Sequence, residues 1–562
     1  MSPVHRSNKA SGKDRDTFKW LPELPTLFRA VNHFAEKVER HLCKFANRRT
    51  LAVITVGFAS LGIRAALLPI LPVPKPLFHD EFSNLLAADT FASGRLTNPT
   101  HPMWVHFETE HVLQRPTYMS MYPPAQGLVL AAGQKLANCP WLGVWLSVGI
   151  MCAAVTWMLQ GWMPATWALL GGTLLLFRLG VLQYWMNSYW GGAVAAIGGA
   201  LVLGALPRLK QHQRVRNALL MAAGAAMLAN SRPYEGLIFC IPTAIAMVIW
   251  LTGKQRLAYK TSLLNIVLPI FLVLAVTGAA MCYYFWRVTG NPFEMPYQVC
   301  RRTYAVAPVY IWQHLRPEPV YHHARLRDFY IGWEARTFLE TQSFSGFLNE
   351  LWDKAVLFGW FFFGVVFPVA VFGFPATVRD KRVRLIWISF LAMAVGLGLE
   401  AWHEPHYMAP MTCVAFALIV QSLRHIRVWK RRRRIGVYVL RTAVAAFCIA
   451  FVVTVAYNVQ RVPRDPAHYP WNWRRAQVND ELRHLSGDHL VIVRYTPDYE
   501  IAFEWVFNRA DIDHAKVVWA RDMGTQNDEL IRYFSNRHVW LLQPTPEPAQ
   551  LTPYAEGVSA KP

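Results

Sequence analysis

Asp80 and Glu81 are neighbouring carboxylates in a chain that is otherwise rich in apolar residues and sparing with charge. A carboxylate within hydrogen-bond reach of a hydroxyl can take its proton as that oxygen attacks an electrophile, and carboxylates also suit divalent cations such as Mg²⁺ or Mn²⁺. The pair sits near the start of the segment from 72 to 122, which holds more acids (Asp80, Glu81, Asp89, Glu108, Glu110) than bases (Lys75, Arg95, Arg115) and is dense in His, Tyr, Trp and Pro. A structureless loop of that length is uncommon in a compact protein, and its aromatic content argues against disorder. The run from Glu81 to Phe91 can form a short helix with Asp80 as its N-cap and Glu81 in its first turn. Capping is therefore the alternative role for Asp80.

Other polar segments recur between apolar runs: Asn187 to Trp190, Asn230 to Glu235 with Arg232 and Tyr234, Tyr297 to Tyr304 with Arg301 and Arg302, and His403-Glu404-Pro405-His406-Tyr407. Each has a plain reading too, since Trp and Tyr populate membrane interfaces and Arg and Glu pair with each other. His403 and His406 are three apart with a proline between them, which is not the helical i, i+4 zinc arrangement, so no metal-ligand residues are assigned. Arg64, inside an apolar run, and Glu400, at the end of another, are costly in lipid and are expected to face the protein interior or to snorkel, in supporting roles.

The elements that must position these residues are membrane helices. Apolar runs of a length that crosses a hydrocarbon core lie near 51–71, 141–160, 164–183, 190–206, 217–231, 234–252, 262–286, 354–374, 384–400, 407–423 and 438–457, so the expected fold is a polytopic α-helical membrane protein of about eleven transmembrane helices. Basic residues flank them in the N-terminus, Arg208 to Arg216, Lys254 to Lys260, Arg379 to Arg384 and Arg424 to Arg434, which places those segments in the cytoplasm. Parity then puts the loops at 72–140, 184–189, 287–353 and 401–406 and the C-terminal tail outside. The run from Pro123 to Ala137 carries Gln126, Gln134 and Lys135 and is expected to be re-entrant or interfacial, since a further span would reverse the basic loops.

The formal net charge of +22 follows span ends and suits anionic lipid, not nucleic acid. Residues 1–50 form a cytoplasmic segment in which Leu24, Leu27, Phe28, Val31, Ala35, Val38 and Leu42 recur at the spacing of an amphipathic helix. They are too polar for a cleaved signal peptide, which leaves the first span as an anchor. Residues 51–457 form the membrane domain. Residues 458–562 read as a small extracytoplasmic α/β domain, with strands near 489–495, 516–520 and 538–543 and helices near 472–485, 499–507 and 524–535. The eight cysteines have neither metal-ligand nor disulfide-framework spacing.

A first span, an acidic Asp-Glu pair in a long outer loop, Tyr122-Pro123-Pro124 opening a non-spanning helix, then a helix bundle and an outer tail resemble the GT-C class of integral membrane glycosyltransferases. More narrowly the chain is similar to the protein O-mannosyltransferase, aminoarabinose transferase and RgtA/B/C/D-like group, through His79-Asp80-Glu81-Phe82-Ser83, Ala88-Asp89-Thr90, Gly94-Arg95-Leu96 and His406-Tyr407 with Pro410. It departs from the aminoarabinose transferases in carrying Tyr122 where they usually have Lys, and it lacks the acceptor-recognition motif of oligosaccharyltransferases. The resemblance implies inverting transfer of a sugar from a polyprenyl-phosphate carrier to a glycan, lipid or protein acceptor, at the outer face of the cytoplasmic membrane. Asp80 is then the candidate base and Glu81 the second choice or an acceptor-orienting group. Arg232, Arg301, Arg302 and His406 are candidates to stabilise the leaving phosphate, and Tyr122, Glu235, His403 and Tyr407 are further candidate substrate contacts. A transporter or flippase of a lipid-linked sugar is the alternative; inverted repeats would favour it, and none is visible.

Overall fold

The computed structural model of the protein describes residues 24–253, 259–430, 434–545 and 547–554. The first 23 residues, most of the basic loop at Lys254 to Lys260, and Arg431, Arg432 and Arg433 of the last basic run lie outside the described residues. Eight of the described helices are long and apolar enough to cross a membrane: Arg49–Ala66, Pro140–Trp162, Ala193–His212, Pro233–Thr252, Lys260–Thr289, Phe344–Arg379, Ala409–Val428 and Ile435–Gln460. Helices satisfy their own backbone groups, and this is what allows such apolar segments to sit in lipid. The remaining three expected spans fall on shorter helices, Ala165–Leu179, Val215–Ala229 and Arg384–Gly398. The chain is thus a helical, multi-pass membrane protein.

Helix α1 (Leu24–Ala46) exposes Phe34, Val38 and Leu42 on one face and pairs Glu39 with Arg427 and Arg441, each at 2.9 Å. Helix α2 (Arg49–Ala66) buries Arg64, whose guanidinium donates to the carbonyls of Leu71 (2.8 Å) and Pro72 (3.1 Å) and to Asn187 Oδ1 (2.9 Å). The charge that lipid would penalise thereby fixes where the chain leaves the first span.

Helix α3 (His79–Ala92) begins two residues earlier than the sequence suggests, and its N-cap is Phe78, not Asp80. Glu81 takes the capping role instead, because one of its carboxylate oxygens accepts from the free N–H groups of Leu77 (3.0 Å) and Phe78 (3.2 Å). Asp80, in the first turn, is left free of the cap. Helix α4 (Pro124–Ala137) has 14 residues, too few to span, and packs closely on α5 (Pro140–Trp162). A side chain at Gly143 would lie 2.0 Å from the Val129 carbonyl, and one at Gly133 would lie 2.4 Å from the Gly143 nitrogen. Only glycine allows that approach.

Between α3 and α4 lies a small antiparallel sheet of order β1-β3-β2, built from Asn98–Pro99 (β1), Val112–Leu113 (β2) and Thr117–Ser120 (β3). Val112 pairs with Ser120 and Leu113 with Met119, so His111 and Tyr122 come out beside each other at one end of the hairpin.

The C-terminal region forms a four-stranded sheet of order β5-β4-β6-β7, from Asp488–Val493 (β4), Val517–Arg521 (β5), Arg537–Gln543 (β6) and Gln550–Pro553 (β7). Strand β4 runs parallel to both neighbours, β7 is antiparallel to β6, and helix Trp471–His484 packs against this sheet. The helix expected near 499–507 is irregular chain. Its backbone is satisfied by side chains instead: Arg325 donates to the carbonyls of Tyr499, Glu500 and Phe503, Arg475 to those of Trp505 and Phe507, and the Val506 N–H to Glu504. The apolar core under this sheet includes Phe82 and Leu86 from α3 and Phe107, Val112 and Tyr118 from the loop after it, together with Trp505 and Trp519 from the tail. Loop and tail therefore bury each other's apolar surface.

Candidate active site

The start of α3 and the end of the β2–β3 hairpin bring four polar side chains together. His79 Nδ1 lies 2.9 Å from Asp80 Oδ2 and 3.0 Å from His111 Nδ1, and His111 Nδ1 lies 3.4 Å from Asp80 Oδ1. The Tyr122 hydroxyl donates to Asp80 and is 3.0 Å from His111 Nδ1. Asp80, His79 and His111 are each only 9% exposed. The local fold explains this convergence: Ser83 on α3 donates to the His111 carbonyl (2.7 Å) and contacts Ser120 Oγ (2.7 Å), which locks helix to hairpin.

Burial opposes ionisation of Asp80, but the imidazoles of His111 and His79 outweigh it and hold the carboxyl well below the usual carboxylate range. Burial together with the adjacent Asp80 pushes the Tyr122 phenol well up, so it stays protonated and donates. Glu81 behaves differently. Burial raises it to about 7 even though three backbone N–H groups point at it, those of Leu77 and Phe78 and that of Tyr189 at 2.9 Å. Both its oxygens accept from backbone, so it ties the segment that ends at Trp190 to the start of α3.

A second group faces this cluster. Phe78 stacks on Trp190 (5.2 Å between ring centres), Trp190 lies 4.9 Å from His406, and the Tyr184 hydroxyl is 3.0 Å from His406 Nδ1. The Arg232 guanidinium sits 4.4 Å over the half-buried Tyr407 ring and 3.4 Å from Glu235. Asp80 and Arg232 both lie within electrostatic reach of His406 and Tyr407. Burial and then the Arg232 charge keep His406 well below the usual imidazole range, hence neutral. Close packing of α7 (Ala193–His212, which follows α6, Ala165–Leu179) positions this wall, since a side chain at Gly199 would strike the Pro410 carbonyl at 2.0 Å.

The structure thus brings Asp80, Tyr122, Arg232, Glu235, His406 and Tyr407 into one polar cluster, with Glu404 within electrostatic reach of Asp80 and Arg232. It gives other partners to the rest. Arg301 is buried and bonded to Glu334 and the Ala307 carbonyl, Arg302 is exposed and bonded to Glu294, and His403 binds Glu350 at 2.6 Å. Glu400 is buried, and its carbonyl accepts from Lys354 at 2.7 Å. His79 and His111 are functional candidates that sequence reasoning did not single out. His79 adjoins Asp80 in the chain, but His111 is brought in only by the hairpin register. Two imidazoles and a carboxylate that converge, buried, on one point are a donor set able to hold a metal ion.

No protein-family model and no curated protein sequence matches the chain. Among solved structures it is similar to the Archaeoglobus fulgidus oligosaccharyltransferase in complex with Zn and sulfate, at 12% identity and a TM-score of 0.49, covering 88% of this chain and 67% of that one. It is also similar to ArnT from Cupriavidus metallidurans, in the apo state at 15% identity and a TM-score of 0.49 over 87% of this chain and 93% of that one. The same protein bound to undecaprenyl phosphate gives 12% identity and a TM-score of 0.47, over 87% and 92% of the two chains.

Proposed function

We propose that the chain is a membrane glycosyltransferase of GT-C type, with eleven spans and an outer tail, that moves one sugar from a polyprenyl-phosphate carrier to a hydroxyl of an acceptor at the outer membrane face. The observation that carries this reading is a buried, ionised carboxylate, Asp80, that shares the neighbours His406 and Tyr407 with the Arg232 cation, beside the ends of membrane helices. A carrier lipid partitions into the bilayer and presents its phosphate and sugar at that level. The acceptor oxygen attacks the anomeric carbon from the side opposite the phosphate, the bond from that carbon to the phosphate oxygen breaks, and its electron pair leaves on the lipid phosphate, so configuration inverts. Asp80 receives the acceptor proton. The phosphate gains negative charge as it leaves, and Arg232, held over Tyr407, lowers the energy of that charge most in a pocket poor in water. Neutral His406 can donate a hydrogen bond there without competing for the proton. Glu81 acts as a positioning residue.

Mass spectrometry of envelope glycolipids, glycans and glycoproteins from a deletion strain tests the reading. One sugar mass should vanish on deletion and return with the wild-type chain. Loss of no sugar from any acceptor, with lipid-linked sugar accumulating on the cytoplasmic side, would replace transfer by transport.

Two further outcomes follow from the pocket. Arg232→Gln is expected to lower turnover roughly 10- to 100-fold with a smaller change in acceptor KM, because the cation acts mainly on the leaving group; an unchanged kcat would remove Arg232 from this role. Burial, reinforced by the Asp80 charge, lifts Glu404 to about 7. Glu404 therefore gains its charge as pH rises through about 7, and the donor phosphate then meets an extra anion. Donor KM is expected to rise from pH 6 to pH 8 in the wild type and to stay flat over that range in Glu404→Gln. A rise of equal size in both proteins would show that another group titrates.

A further inference from the structure

We propose that His79, Asp80 and His111 form a binding site for one divalent transition-metal ion of the zinc class. His79 Nδ1 lies 3.0 Å from His111 Nδ1 and 2.9 Å from Asp80 Oδ2, His111 Nδ1 lies 3.4 Å from the other carboxylate oxygen, Oδ1, and one donor atom from each residue lies within 4.8 Å of the other two. Around a tetrahedral ion with bonds of 2.0–2.1 Å to nitrogen and oxygen, ligand atoms stand about 3.3 Å apart. The two edges that meet at His79 Nδ1 are close to those of such a polyhedron, and the third donor pair is near enough for a turn of the Asp80 carboxylate to close it.

Four short polar contacts converge here, from His79 Nδ1 and from the Tyr122 hydroxyl, each to Asp80 and to His111. A dication meets all three lone pairs at once. The surroundings hold the rings in this pose: Phe329, itself 2% exposed, packs edge-on against His79 at 5.1 Å and His111 at 5.8 Å. His111 also adopts a left-handed backbone, φ 63°, a conformation that costs energy for a residue with a side chain and that turns its imidazole inward. Conformations of this kind persist where the surrounding structure imposes them, here through Ser83 and Met121 on the His111 carbonyl.

The donor set also selects the metal. Two imidazoles favour zinc, iron or cobalt over Mg²⁺, which prefers six oxygen ligands, so the Mg²⁺ expected from carboxylates alone does not suit this site. Three protein ligands leave a fourth position open, and the Tyr122 hydroxyl lies beside it. The metal site rests on this geometry alone. One Asp80 oxygen is enough for coordination, which leaves the other for the acceptor proton in the transfer reaction.

The test uses the full-length protein in detergent, stripped with a chelator, dialysed against Zn²⁺ with a hundredfold excess of Mg²⁺, and analysed by elemental mass spectrometry. About one zinc per chain is expected in the wild type, falling at least tenfold in His111→Ala and in His79→Ala, and unchanged in His514→Ala, whose imidazole is exposed and paired with Asp511. Equal zinc in wild type and His111→Ala, or no zinc in the wild type, would overturn the site. If the variants do not fold, Co²⁺ loading of the wild type decides: intense visible absorption marks a low-coordinate site with nitrogen ligands and supports the proposal, and the weak spectrum of hydrated Co²⁺ refutes it. Zinc bound in a protein that transfers no sugar would keep the site and remove the proposed reaction. Transfer by a protein that binds no metal would do the reverse.

Discussion

Asp80→Asn is expected to lower sugar transfer by about a thousandfold or more, at matched protein level and with normal membrane insertion. Proton transfer from a positioned carboxylate contributes about 10²- to 10⁴-fold, and an amide of the same shape cannot accept that proton. The substitution keeps one oxygen able to accept from Tyr122 or His79. The α3 cap depends on Glu81 and is untouched, so the structural cost should stay near 1–2 kcal/mol, the range for one perturbed buried hydrogen bond. The assay is conversion of a purified polyprenyl-phosphate sugar followed by mass spectrometry, with thermal unfolding in detergent as the control. Activity above about a tenth of wild type would assign Asp80 to structure, not chemistry.

The second large effect is expected at a residue that touches none of the reacting groups. Arg521 is 2% exposed, donates to the Glu108 carbonyl at 2.6 Å and to Glu504 at 2.7 Å, and has Glu110 at 3.8 Å. Glu504 is completely buried and also holds Arg325 at 3.3 Å and the Tyr495 hydroxyl. Removing one partner of a buried ion pair costs about 3–5 kcal/mol because the other charge stays behind. Arg521→Leu leaves Glu504 and Glu110 short of a cation, directly beside the segment that ends in His111. The expected result is at least a hundredfold loss of transfer together with rapid proteolytic release of the tail near residues 460–470. Intact activity with a released tail would make the tail accessory. The pH dependence has a definite sign: burial raises the Glu504 carboxyl, but Arg521 and Arg325 prevail and hold it below its ordinary value. This joint therefore gains its stabilisation above the ordinary carboxylate range and loses it as pH falls through the lowered value. Tail release should begin only in strong acid.

The membrane helices were legible because hydropathy is a local property, and each expected span falls on a helix. The short helix after Tyr122-Pro123-Pro124 was legible for the same reason, since proline suits a helix start and three polar residues argue against a span. The pocket was only half legible. Asp80, Arg232, His406 and Tyr407 carry their chemistry in their residue types, but His111 joins Asp80 through a strand register set by two residue pairs, and no periodicity announces that. Arg301 and Arg302 show what residue type leaves out. As residue types they suit a phosphate, yet Glu334 and Glu294, distant in the sequence or across a turn, occupy them. The segment at 499–507 has helix-compatible residues, and long-range donors from Arg325 and Arg475 hold it out of a helix.

The core shared by the segment between α3 and α4 and the C-terminal region is completed late in biosynthesis. Phe82, Phe107 and Tyr118 leave the ribosome roughly 400 residues before Trp505 and Trp519 arrive to cover them, an interval of about 20–80 s at 5–20 residues per second. Throughout that interval the loop bearing Asp80 has no completed apolar support. The surroundings of Asp80 are thus completed only by the last strands to be made, and a ribosome that stalls before them leaves that segment without its apolar cover.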